Sequence, residues 1–234
     1  MAHQIDTFSI GRASYASTQR EWHGLGELMP VGATVEQWQQ AAGMEYEVQR
    51  GYVRYATARG QTADQMQVVK DKVVLFRSDT GAPLGVVSDS YKVVQPREVL
   101  EFFRGWADAG GVSIESAGVL FGGKRYFATA KLGEGVFVDG QSDKVVPYAL
   151  LSTSSDGSLA TEARWTTVRV VCNNTLSMAR GGQAAVRVTH RSEWKPEDVR
   201  GVMESANEEF MAFMEMSRKL AAIKVAKPLA DRKS

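Results

Sequence analysis

The thirty residues 163–192 include Arg164, Arg169, Arg180, Arg187, Arg191 and His190 but no Asp or Glu, in a chain whose formal net charge is +1. Trp165 and the polar run Cys172-Asn173-Asn174-Thr175 share that window. A guanidinium offers a planar fork of donors matched to phosphate, and an aromatic ring offers a face on which bases stack. The set therefore suits a polyanion better than an apolar ligand. The same arginines also fit a structural role, each paired at a strand surface with a carboxylate from elsewhere in the fold.

Other chemistries draw less support. His3, His23 and His190 are scattered, with no HExxH, His-x-His or Cys-x-x-Cys spacing, so neither a transition-metal site nor a cofactor is expected. Cys172 with His190 would make a nucleophile and a base, yet Cys172 closes an apolar run, where a buried core thiol is the better reading. Gly122-Gly123-Lys124 and Gly133-Glu134-Gly135 lack the spacing of a phosphate-binding loop and read as hairpin turns. Asp156 and Glu162 keep a metal-dependent nuclease open, because carboxylates near a basic strand are what phosphodiester cleavage needs; Asp156 in Ser-Asp-Gly-Ser is nevertheless better read as a turn former. The stripe Met203, Phe210, Met211, Phe213, Met214 and Met216 fits core or subunit packing, and also a partner-binding face.

These residues need a scaffold. At 234 residues, 44% hydrophobic and 24% charged, the chain can bury a substantial core, and one or two domains are expected. With the net charge so small, any affinity for nucleic acid must come from segregated charge. A single cysteine excludes an internal disulfide, so a cytoplasmic protein is expected. Met1 to Gly11 lack the pattern of a signal peptide, and no apolar run reaches membrane-spanning length.

The pattern predicts a short helix over 34–42, with Thr34 as cap and Gly43 as stop, and a strand over 46–55. A boundary near residue 62 would divide a small N-terminal α/β section, 1–62, from a core domain, 63–234. The core is expected to hold a hairpin (68–76 and 84–87), a helix opened by Pro96, and a second hairpin turning at Gly122-Gly123. Long strands over 145–152 and 160–172 follow, then a short helix capped by Asn173 or Asn174, an extended piece over 184–189 and a long helix from Pro196. The fold class is α+β, a mainly antiparallel sheet with helices on one face.

Several stretches resemble the phage- and plasmid-borne domain-of-unknown-function family 932. They are Trp22-His23-Gly24-Leu25-Gly26, Leu84-Gly85-Val86-Val87, Tyr91-Lys92-Val93-Val94-Gln95-Pro96, Gly122-Gly123-Lys124-Arg125 and Ser154-Ser155-Asp156-Gly157-Ser158, with Arg169-Val170-Val171-Cys172-Asn173-Asn174-Thr175-Leu176 the most specific. The order of elements is also similar to the β-β-α-β-β-β-α core of phage single-strand annealing proteins of the RecT, Red beta and Erf type, which bind single-stranded DNA as oligomers without a nucleotide cofactor. That resemblance implies a homo-oligomeric DNA-recombination protein, an annealing factor more than an enzyme, working in a bacterial host with single-stranded DNA and phage or host recombination partners. Arg164, Arg169, Arg187 and Arg191 are expected to hold phosphates, Lys124 and Arg125 to extend the basic track, and Trp165 or Tyr126 to stack on bases. Strand alternation places Arg164 and Arg169 on opposite faces of one strand unless a bulge intervenes. A protein-binding anti-defence or structural factor, using the Met-rich final helix, is the third alternative.

Overall fold

The computed structural model describes residues 13–15, 27–30, 32–107, 112–132, 136–137, 144–170, 172–181 and 186–221. In chain order it contains β1 (Ala13–Tyr15), β2 (Glu27–Leu28), α1 (Val35–Ala42), β3 (Val48–Tyr55), β4 (Gln67–Arg77), β5 (Pro83–Ser88) and α2 (Pro96–Ala107). There follow β6 (Val112–Leu120), β7 (Arg125–Leu132), β8 (Val136–Phe137), β9 (Lys144–Val145), β10 (Tyr148–Ser154) and β11 (Thr161–Thr166), then α3 (Asn173–Ala179), β12 (Val186–Val188) and α4 (Pro196–Ala221). The fold is α+β. Its main sheet has the order β12-β11-β10-β7-β6-β1-β2, antiparallel except for the parallel β1–β2 pair, while β3-β4-β5 form a separate antiparallel sheet.

Local sequence accounts for most of these elements. Thr34 Oγ1 accepts from the Gln37 amide at 3.3 Å, and Gln37 Oε1 accepts from the Thr34 amide at 2.8 Å. This reciprocal cap starts α1, which Gly43 ends at φ 67. In α2, Val99, Leu100, Phe103 and Trp106 recur at helical spacing and are all buried. The turn between β6 and β7 carries three successive positive φ values, at Phe121 (55), Gly122 (69) and Gly123 (97), which explains two of its residues being glycine.

The register defines two faces of the main sheet. Ala117 and Val119 (β6), Tyr126, Ala128 and Ala130 (β7), Ala149 and Leu151 (β10), and Ala163 and Trp165 (β11) share the face that meets α1, α2 and α4 in the larger core. On the opposite face Leu120, Phe127 and Leu150 pack with Val170, Leu176 and Ala179 beneath α3, in a smaller second core. Helices thus cover both faces, where the sequence led us to expect one.

Two further expectations are corrected. The strand foreseen over 160–172 stops at Thr166, whose hydroxyl accepts the Val168 amide at 3.1 Å and turns the chain out of the sheet. The chain then crosses the second face, where the Val170 carbonyl accepts from Ser116 Oγ at 2.6 Å. Residue Cys172, and neither asparagine, occupies the N-cap of α3; its amide donates to Thr175 Oγ1 at 3.0 Å. The boundary proposed near residue 62 falls in the β3–β4 loop, and those two strands pair with each other. The glycine excursion at Gly133, Gly135 and Gly140 lies outside the described residues.

Candidate functional site

The arginine-rich window converges on one carboxylate. Glu162 of β11 sits opposite Arg187 of β12 and Ser152 of β10 in the register, on the face beneath α3. Glu162 Oε2 accepts from Arg164 Nη2 at 3.0 Å and from Arg180 Nε at 2.9 Å, while Oε1 lies 3.6 Å from Arg187 Nε. Arg164 also donates through Nη1 to the Arg180 carbonyl at 2.6 Å and the Gly181 carbonyl at 3.2 Å, so it holds the C-terminal end of α3, where helix carbonyls lack partners. Burial pulls the Arg164 guanidinium below its ordinary pKa, and Glu162 opposes that shift. A second pair, Arg169 to Glu115 at 2.8 Å, fastens the crossing segment to β6.

The surface therefore receives some of the expected site residues and the interior receives others. Arg164 (side chain 5% exposed) is an interior ion-pair partner and is not placed to meet a phosphate. Tyr126 is fully buried on the helix-covered face, its hydroxyl donating to the Val94 carbonyl, so its ring cannot stack on a base. Trp165 lies between Trp106 and Phe210, stacked on each at 5.8 Å, and its Nε1 donates to the Met203 carbonyl at 3.1 Å; it is a core contact of α4. Arg169 is half-buried in its pair with Glu115, and it shares the Arg164 face because the strand has already ended.

Arg187 (67% exposed) and the exposed Arg191 remain available, as do Lys124 and Arg125 at the β6–β7 turn. The Arg125 guanidinium lies 4.9 Å over the Phe121 ring and donates through Nε to Ser158 Oγ at 3.0 Å. On the sheet, Arg125 is three strands and two residues from Arg187 on the same face, a backbone separation of roughly 15 Å. Arg180, on neither edge of a strand, was outside the expected track, and it reaches the cluster only because α3 folds back over the sheet.

The family model described as domain of unknown function (DUF932) matches residues 83–232. The chain belongs to this family. No curated protein and no solved structure matches it. The DUF932 region contains the whole arginine cluster, and two of its sequence marks meet there. A Cβ on Gly85 would lie 2.7 Å from Asp156 Cα, so the Leu84-Gly85-Val86-Val87 strand admits the Ser154–Ser158 turn only because residue 85 is glycine. Asp156 Oδ1 accepts the Ser158 amide at 2.8 Å, the bond of a turn former, and Gly157 has φ 77.

Within this DUF932 chain, Asp156 and Glu162 are thus each engaged, and among the described residues no group of three or more His, Cys, Asp or Glu is placed to hold a metal ion. Cys172 is buried. His190 stacks on Tyr91 with 4.2 Å between ring centroids, and its two ring nitrogens face the Lys92 carbonyl at 2.8 Å and the Leu159 carbonyl at 2.9 Å, which ties the β12–α4 connection to the sheet. Among the described residues no helix is long and apolar enough to cross a membrane. His3, His23 and the mark Trp22–Gly26 lie outside the described residues.

Proposed function

We propose that this protein binds single-stranded DNA and promotes strand annealing as a homo-oligomer, serving DNA recombination in a phage or plasmid. One observation carries the proposal: the sheet face beneath α3 gathers Arg125, Arg164, Arg169, Arg180 and Arg187 against the two carboxylates Glu115 and Glu162. Interior pairing consumes Arg164, Arg169 and Arg180. Arg125 and Arg187 remain on that face of a nearly neutral chain, and Lys124 and the exposed Arg191 add cations on the adjoining turn and connection. A polyanion is drawn to such segregated charge, and no bond-breaking group is required for annealing.

Fluorescence anisotropy of a labelled single-stranded oligonucleotide, titrated at several salt concentrations with duplex as comparator, tests the proposal. Four phosphate contacts per protomer, from Lys124, Arg125, Arg187 and Arg191, give a slope of log K against log salt of roughly −2.8. The expected result is salt-sensitive binding that favours the single strand, together with faster pairing of complementary strands. Absence of binding at low salt would overturn it.

A further inference from the structure

The most exposed aromatic rings among the described residues lie away from the arginine cluster. Tyr52 is 75% exposed and Tyr55 52% exposed, both on β3. Large apolar rings left open to water are uncommon on a folded surface unless something covers them part of the time. Tyr55 stands opposite Gln67, where the sheet is a two-stranded ribbon, and Tyr52 stands opposite Val73, at the end of the three-stranded part; their odd spacing puts the two rings on opposite faces of the edge strand β3. The third strand, β5, pairs with Lys72 to Phe76 of β4, and between Gln67 and Asp71 the β3–β4 ribbon has no further neighbour in its sheet. The register shifts between Tyr52 and Arg54, and the extra length falls on β4 at 69–72.

Cations flank the rings along the chain. From Gly51 to Lys72 the sequence carries Arg54, Arg59, Lys70 and Lys72 against Asp64 and Asp71. Arg54 Nη1 donates to the Ala63 carbonyl at 2.7 Å, fixing the guanidinium to the loop, and among the described residues Arg59, Lys70 and Lys72 make no ion pair. The loop is ordered by its own amides. Gln61 Oε1 accepts the Thr57 amide at 2.6 Å, and Gln65 Oε1 accepts the Thr62 amide at 3.0 Å. Two rings on a preorganised, cation-bearing ribbon match what unpaired bases need: a stacking face indifferent to sequence, with counter-charge for the adjoining phosphates.

We infer that the β3–β4 ribbon is a second single-stranded DNA contact, with Tyr52 and Tyr55 stacking on unpaired bases and Arg54, Arg59, Lys70 and Lys72 meeting phosphates. This rests on the single-strand-binding reading above. It places a contact before residue 83, ahead of the stretch matched by the family model. The ribbon selects single strands over duplex, because paired bases present no free face, and the arginine cluster supplies the charge common to both.

The test uses the full chain with Tyr52→Ala, Tyr55→Ala, the double variant and the corresponding Phe substitutions, titrated with a single-stranded oligonucleotide and with an abasic strand of equal length. Each Ala change is expected to weaken binding to the normal strand about 5- to 150-fold, with Phe restoring it and the abasic strand indifferent to both. Both side chains are exposed, so thermal melting should stay close to wild type and separate lost binding from lost fold. Wild-type binding with an unaffected double Ala variant would overturn the ribbon and leave the arginine surface standing. A double Ala variant of smaller oligomeric size by light scattering would assign the ribbon to self-association and overturn the inference. No wild-type binding at low salt would remove the parent reading and the ribbon together.

Discussion

Glu162 and Arg187 are direct register partners with opposite fates on substitution. Glu162 is 6% exposed and answers Arg164 and Arg180 at 3.0 and 2.9 Å, so Glu162→Gln leaves buried guanidiniums without their counter-charge. A loss of about 3–5 kcal/mol in urea unfolding is expected. Arg187→Ala removes a 3.6 Å contact from a solvated side chain and should cost under about 1 kcal/mol, while the proposed function requires it to weaken single-strand binding. Parity along β11 puts Arg164 beside Glu162 at once. What parity cannot show is that α3 closes over that face, which turns a surface arginine into an interior one.

Three buried tyrosines set a limit at high pH. The hydroxyls of Tyr46, Tyr91 and Tyr126 donate to the carbonyls of Gly123, Ser154 and Val94. Burial raises all three phenols, Tyr91 to about 12. The folded pKa lies above the unfolded value near 10, so the folded state holds the protonated form. The stability this confers is complete below about pH 10 and is lost as pH rises through the folded pKa values. Urea midpoints should fall from pH 9.5 upward, and Tyr126→Phe should flatten part of that slope. Tyr126, expected to stack on bases, is buried, while Tyr52 stands open; both lie in strand-forming sequence, and nothing local tells the two apart.

At the level of elements, glycine positions carry the clearest consequences. Gly123, at φ 97, has room for no Cβ, since one would lie 2.8 Å from Tyr46 Oη and 2.9 Å from Arg77 Nη1. Arg77 is itself fixed, its guanidinium 3.8 Å over the Tyr46 ring and bonded twice to Asp79 at 2.9 and 2.7 Å. Gly123→Ala should therefore cost about 1–3 kcal/mol through backbone strain, measured by thermal or urea unfolding. Gly85→Ala presses on backbone at Asp156 and should cost a similar amount, whereas Gly81→Ala has open space and bears only its φ of 68. The caps of α1, the periodicity of α2 and the glycine turns of both hairpins could be read from local residues. The end of β11 could not, because Thr166-Thr167-Val168 is strand-forming composition and the break is made by a single side-chain hydrogen bond.

The molecule as a whole is unequal on its two sides. The larger core joins α1, α2 and α4 to the sheet, while α3, seven residues long, covers the other face with Leu176 and Ala179 as its buried contacts. Fewer buried apolar groups mean a lower free energy of local opening. In hydrogen exchange the amides of α3 should lose protection before those of β6, β7 and β10, and slow exchange of α3 equal to the central strands would contradict this. Such two-sided coverage was beyond reach of the sequence, because it depends on where the chain travels after Thr166.

One carboxylate is shared between these two regimes, and its oxygens divide the work. Oε2 serves the interior guanidiniums and Oε1 faces the exposed one. Drawing Arg187 away, whether by ligand or by mutation, leaves the interior linkage of Glu162 whole. The outer charge is therefore insulated from the fold, and position 187 can gain or lose charge without renegotiating the interior on which it rests.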